Sequence, residues 1–201
     1  MGATINLFER KVQTMNAFLN NSTLTETQKN ALFAFGEMDK TGTGVNLMIA
    51  ASMCEGELTK AILMNLSDLV ESVGITDEEF EQLIYQIRLE AAENIMNAEK
   101  HYQAKAGEKS DAFSWRNLIR NKILATFGNE RIGTTLINLS YVEYVTVDPD
   151  LKQIIHDLTS QIATMNVFHP EKYPDLLTEA RKVDDLWKIK TDDLGYFTVK
   201  G

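Results

Sequence analysis

The stretch that decides the fold is Ile75 to Ile95, ITDEEFEQLIYQIRLEAAENI. Its apolar residues Phe80, Leu83, Ile84, Ile87, Ala91 and Ile95 recur three or four apart, the spacing that lines one face of an α-helix. Thr76 and Glu79 form a capping box, in which each side chain accepts from the other residue's backbone N–H. Ile75 and Phe80 can close a hydrophobic staple across that cap. Asp77, Glu78 and Glu79 put negative charge in the first turn, where the helix dipole favours it. The pattern continues to about Ala104, and Gly107 lies just beyond it, near the expected stop.

The same period recurs along the chain. Asp148 is a good N-cap, and Pro149 suits the first helical position, where no N–H is needed. Leu151, Ile154, Ile155, Leu158, Ile162 and Met165 then make a buried stripe, which His169-Pro170 ends because a residue before proline avoids helical angles. Ile5, Phe8, Val12, Met15 and Leu19 line another helix, and Leu176, Ala180, Val183 and Trp187 a further one. Thr25 with Gln28 opens a helix through Leu32 and Phe35. Val45 to about Val73 is apolar nearly all round in its first half, as suits a helix covered by others, and Gly56 can divide it. Phe113 to Phe127 is the next amphipathic stretch, closed by Gly128. Strand signal is confined to SYVEYVTV (140–147) and YFTV (196–199), which could pair as one small ribbon. No internal repeat and no low-complexity segment stands out. The reading is an all-α protein, a compact bundle of seven to nine helices in a single domain over 1–201, with any subdivision near 105–109.

Composition agrees with a folded helical protein. The chain has 201 residues, 44% hydrophobic and 24% charged, which is globular composition with enough length to bury a core without staples. The lone Cys54 sits in the apolar run LMIAASMC and reads as a small buried hydrophobe in a reducing, cytoplasmic setting. MGATINLFERKVQTM lacks the basic and apolar regions of a secretory signal, and no apolar run approaches the length of a membrane span. The formal charge of -9 opposes non-specific binding to nucleic acid, so no nucleic-acid partner and no membrane partner are expected.

The most motif-like stretch is GEMDKTGTG, Gly36 to Gly44. Asp39-Lys40-Thr41-Gly42-Thr43 resembles the aspartyl-phosphate loop of ion-pumping ATPases. That family continues with Leu-Thr where this chain has Gly44-Val45, and it carries a second acidic motif that is not found downstream. The stretch with its preceding helix also resembles an EF-hand. Asp39 would be loop position 1 and Gly44 position 6, but positions 3 and 5 are Thr41 and Thr43, and position 12 is Ala50 where a bidentate Glu is needed. The stretch is therefore read as turn chemistry between two helices, its glycines free to take positive φ. No Walker loop, GxGxxG, Gly-x-Ser-x-Gly or Glu-x-x-His occurs, and His101, His156 and His169 have no ligand-like company. No catalytic residue, cofactor or metal is expected.

Charge is segregated instead. Glu71, Asp77, Glu78, Glu79, Glu81, Glu90 and Glu93 face only Arg88 in their segment, whereas Lys109, Arg116, Arg120, Lys122 and Arg131 face Asp111 and Glu130 in theirs. Trp115 lies in the basic segment, and Trp and Arg are enriched among binding hot spots. Tyr196 and Phe197 in the C-terminal DDLGYFTVKG could dock on a neighbour. Trp115, Arg116, Arg120, Lys122, Tyr196 and Phe197 are thus the expected contact residues of a non-enzymatic interaction protein, an assembly component or inhibitor-like accessory protein that binds a protein partner or itself. Phage or viral origin fits that reading. The alternative is a small helical enzyme with a scattered acid or histidine site.

Overall fold

The computed structural model describes residues 24–106 and 115–190, with side chains throughout except at 95, 97–106, 115 and 183–190. Every regular element among them is helical. In chain order these are α1 (Glu26–Phe35), α2 (Lys40–Met53), α3 (Glu57–Ser72), α4 (Asp77–Ala106), α5 (Trp115–Phe127), α6 (Ile132–Val145), α7 (Pro149–Phe168) and α8 (Tyr173–Lys190). A 3₁₀ turn, Pro170–Lys172, precedes the last. The expected helix over 5–19 lies outside the described residues.

Helix starts fall where their caps put them. Thr25 Oγ1 accepts from Gln28 N at 3.2 Å, and Gln28 Oε1 accepts from Thr25 N at 2.9 Å. Glu79 N donates to Thr76 Oγ1 at 3.2 Å, and Thr76 N donates to Glu79 Oε2 at 2.8 Å. Asp148 Oδ1 accepts from Leu151 N at 2.8 Å with Pro149 in the first turn. Each such cap is worth about 1 kcal/mol.

The ribbon expected between 140–147 and 196–199 is corrected in its first half, because Ser140 to Val145 complete α6. Residues 196–199 lie outside the described residues. The β-branched and aromatic residues of SYVEYV favour a strand only weakly, by tenths of a kcal/mol to about 1 kcal/mol. Leu139, Val142 and Val145, three apart, are buried, while Tyr141 and Tyr144 between them are exposed. Burial at helical period outweighs the local preference.

A repeat invisible in the sequence reading organises the fold. Helices α1–α4 and α5–α8 are two versions of one four-helix unit, matched by Phe-Gly-x6-Thr-x2-Asn-Leu at Phe35–Leu47 and again at Phe127–Leu139. The match is structural as well as sequential. Asn46 Nδ2 donates to Phe35 O at 3.1 Å, and Asn138 Nδ2 donates to Phe127 O at 2.9 Å. Glu37 N donates to Thr43 Oγ1 at 2.8 Å, and Asn129 N donates to Thr135 Oγ1 at 2.8 Å. Gly36 N returns to Leu32 O and Gly128 N to Leu124 O, both at 2.8 Å. A Cβ on Gly36 would come within 2.7 Å of Ile84 Cδ1, and one on Gly128 within 2.7 Å of Leu177 Cδ1, so neither position has room for a side chain. Arg88 of α4 donates to Gly36 O at 2.8 Å, and Arg181 of α8 donates to Gly128 O at 3.4 Å. Both arginines meet the carbonyl end of a helix, where positive charge is favoured.

The units are joined by a pseudo-twofold axis. Val147 N donates to Ala34 O at 2.9 Å, and Glu55 N donates to Thr126 O at 3.4 Å. Ala34 corresponds to Thr126 and Glu55 to Val147, so the two bonds are one contact made in both directions, the signature of an isologous pairing. Around it α2 packs on α6, while α2 packs on α3, α6 on α7, α1 on α4 and α5 on α8. One contiguous core runs through both units, with Leu32, Leu47, Leu66 and Phe80 in the first and Leu124, Leu139, Leu158 and Tyr173 at the matching places in the second.

The asparagines carry the test of this account. Asn46→Ala and Asn138→Ala each strip a buried carbonyl of its donor and should each lower the unfolding free energy by about 1–3 kcal/mol. Ser52→Ala, on the exposed side of α2, should change it by no more than about 0.5 kcal/mol. Urea unfolding of the three variants decides the matter, and a neutral result at either asparagine would contradict the duplicated role.

Candidate functional site

GEMDKTGTG is the first copy of the link between the first two helices of each unit. Asp39 is the N-cap of α2, its Oδ1 accepting from Gly42 N at 2.6 Å. Lys40 to Met53 is continuous helix, so the expected open turn is corrected: Gly42 and Gly44 lie in the first turns of α2. Thr43, buried beneath them, donates to Asp39 O at 2.9 Å. Gly44 is small because α3 crosses close by. A Cβ there would stand 2.9 Å from Glu71 Oε1, and Ser67 Oγ donates to Gly44 O at 3.0 Å. The positions an EF-hand would use as a loop are helical. Among the described residues no group of three His, Cys, Asp or Glu side chains could hold a metal ion, and no helix is long and apolar enough to cross a membrane.

Of the residues expected to make contacts, Arg116, Arg120 and Lys122 have described side chains. Arg116 is exposed at the start of α5. Arg120, one turn on, is half-buried and donates to Gln161 of α7. Lys122 turns elsewhere, into a cleft between the units. The side chains of Trp115 and His101, and all of Lys109, Asp111, Tyr196 and Phe197, lie outside what is described. His156 is exposed on α7 with Nδ1 at 3.0 Å from Glu143 Oε1, and His169 Nδ1 stands 3.5 Å from Glu171 Oε1.

Two features were not anticipated. The first is the cleft, about 460 Å³, which straddles the pseudo-twofold. Matching residues of the two units face into it: Phe35 with Phe127, Leu63 with Ile155, and Asn30 with Lys122. Most of its lining is aliphatic or aromatic. Asn30 is only 7% exposed, and its amide nitrogen has no hydrogen-bond partner. Only one other buried side-chain nitrogen among the described residues is left so, Arg120 Nε.

The second is the outward face of the paired helices α2 and α6. On α6, Ile137, Tyr141 and Tyr144 are 58%, 50% and 77% exposed. They stand four and three residues apart and so form one stripe. Gly133 and Ser140 are exposed beside them. On α2 the exposed residues between Thr41 and Ser52 are Thr41, Val45, Met48 and Ser52. Neither set contains a charge, on a chain of formal charge -9. The signal was present in the sequence as YVEYV, but reading it at period two hid the face that period 3.6 exposes.

No protein-family model, curated protein or solved structure matches this chain.

Cys54 is buried at the C-cap of α2. Burial pushes its thiol up to about 12, with Lys60 opposing the shift and Glu55 adding to it. A thiol raised in the folded state contributes stability below its unfolded pKa, and that stability is lost as pH rises from about 9 toward 12. At pH 8 native Cys54 should react with iodoacetamide at least about a hundredfold more slowly than the same residue in urea. Equal rates, read by mass spectrometry, would show that the thiol is not enclosed as described.

Proposed function

We propose that this is a non-enzymatic interaction protein whose contact surface is the uncharged outward face of α6 and α2, and that its first partner is a second copy of the chain. The observation that carries the reading is the Ile137–Tyr141–Tyr144 stripe. Single exposed apolar residues are ordinary on protein surfaces, whereas a contiguous apolar run free of charge is what interface cores look like. Tyrosine supplies large contact area with few rotors and is enriched among hot spots. Net charge makes copies of this chain repel one another at distance, so a self-contact needs a place where no like charges meet. The α6 and α2 faces supply one, and the small Gly133 and Ser140 allow close approach. The two units already pair through α2 and α6, and a further copy would extend that helical layer.

The proposal differs in mechanism from charge-complementary assembly. An apolar contact between like-charged copies strengthens or holds as salt screens the repulsion, whereas pairing of acidic with basic segments weakens. Light scattering on the eluting full-length chain at low and high salt should therefore show a dimer that persists at high salt. Tyr141→Glu with Tyr144→Glu should return it to monomer with unchanged helix content. A monomer at both salt concentrations up to about 100 µM, a weak-interface concentration, would overturn the proposal. So would a dimer indifferent to the two glutamates.

A further inference from the structure

We infer that the cleft between the two units binds an uncharged, largely hydrocarbon molecule that carries one carbonyl acceptor, an occupant independent of the contact face of α6. The cleft encloses about 460 Å³, within the range that holds small-molecule ligands. Phe35 and Leu63 from one unit meet Phe127 and Ile155 from the other, so its walls are largely apolar. Such walls favour a hydrocarbon body by taking its surface out of water.

The polar groups decide what else the molecule carries. Among the described lining residues none is acidic and one is basic, Lys122. Lys122 has a partner of its own, so it supplies no free charge to the space. A charged occupant would lose its water with nothing to replace it, and an uncharged one avoids that cost. Two of the threonines in the lining already have acceptors, since Thr126 Oγ1 donates to Lys122 O at 2.8 Å and Thr146 Oγ1 to Val142 O at 2.6 Å. Asn30 is different. It is 7% exposed, it lines the cleft, and its amide nitrogen has no hydrogen-bond partner. A buried donor left in that state costs free energy that an acceptor would recover. The nitrogen is covered by its surroundings, but an asparagine amide turns about a soft terminal torsion, so an acceptor in the cleft can draw it round. One unmet amide donor in an apolar wall selects one neutral acceptor, and a ketone or ester carbonyl is the simplest that a hydrocarbon body carries.

The test is a nitrogen–proton NMR titration of the full-length chain with acetophenone, set against ethylbenzene, which has nearly the same shape and no carbonyl. Acetophenone should shift the resonances of Leu63, Phe127 and Ile155 saturably and move the Asn30 side-chain amide protons downfield, as a new hydrogen bond does. It should bind about tenfold more tightly than ethylbenzene, the effect of satisfying one buried donor. Benzoate, the charged counterpart, should bind at least about tenfold more weakly than acetophenone. Asn30→Leu should abolish the preference for acetophenone and leave ethylbenzene bound as before. Thr59→Trp, at a half-buried lining position, should block both ligands with helix content preserved. Absence of saturable acetophenone binding would overturn the inference, including the case in which another segment of the chain fills the cleft. So would equal affinities for acetophenone and ethylbenzene, benzoate binding as tight as that of acetophenone, or an Asn30 amide that does not move, all read on the unmodified protein. A preference that survives Asn30→Leu, or binding that survives Thr59→Trp, would overturn it too.

Discussion

The structure depends on how a helix is stopped and the next one started in the same few residues. Where α1 ends, its last carbonyls face the core and cannot reach water. Asn46 from the following helix takes the Phe35 carbonyl, Arg88 from α4 takes that of Gly36, and Thr43 holds the Glu37 amide. The partners come from two other elements, Asn46 and Thr43 from α2 and Arg88 from α4, so satisfying the helix end also fixes the angles of α2 and α4 to α1. An orphaned carbonyl would cost about as much as several exposed contacts gain. Gly36 is the geometric condition, since any side chain there would collide with Ile84.

The same solution is used at Phe127, with Asn138, Thr135 and Arg181 in the same roles. The second copy adds two bonds. Tyr173 replaces Phe80, and its hydroxyl donates to Asn129 O at 2.7 Å. It also meets the hydroxyl of Thr135. Burial raises the Tyr173 pKa, against the hydrogen bond from Thr135, so the phenol stays protonated there. Because the two units exchange equivalent backbone bonds, everything at their junction is presented twice. That is why the cleft is walled by matching residues, and the unmet amide of Asn30 marks a place where the copies differ, since Lys122 stands at the matching position.

How much of this could be read from residues alone follows from what each signal encodes. The capping boxes at Thr25 and Thr76 and the Asp148-Pro149 start are local chemistry, and each helix begins where they place it. Gly128 marks its helix end for the same reason. The repeat is different in kind. Its anchors are a few scattered identities, Phe-Gly, Thr and Asn-Leu, and the remaining matches are of burial and not of residue type. Ala50 pairs with Val142, and Phe80 with Tyr173. Such equivalence appears only when the partners of each side chain are known. GEMDKTGTG attracted attention as possible chemistry because its glycines and Asp39 are rare in combination, but its matching stretch GNERIGTTL keeps only the framework positions Gly128 and Thr135. The stripe on α6 was hidden by the strand preference of its own tyrosines. The cleft belongs to no segment, since it exists only between two of them.

The central claim is that one polar lock has been built twice and carries equal weight in each unit. Amide hydrogen exchange at Glu37 and Asn129 tests it most directly. Both amides follow a helix end, both would exchange at open-loop rates if unbonded, and both donate to a threonine hydroxyl at 2.8 Å. The account predicts strong and similar protection at the two sites. Thr43→Val should release Glu37 alone and Thr135→Val should release Asn129 alone. Open-loop exchange at either residue in the unmodified protein would contradict it.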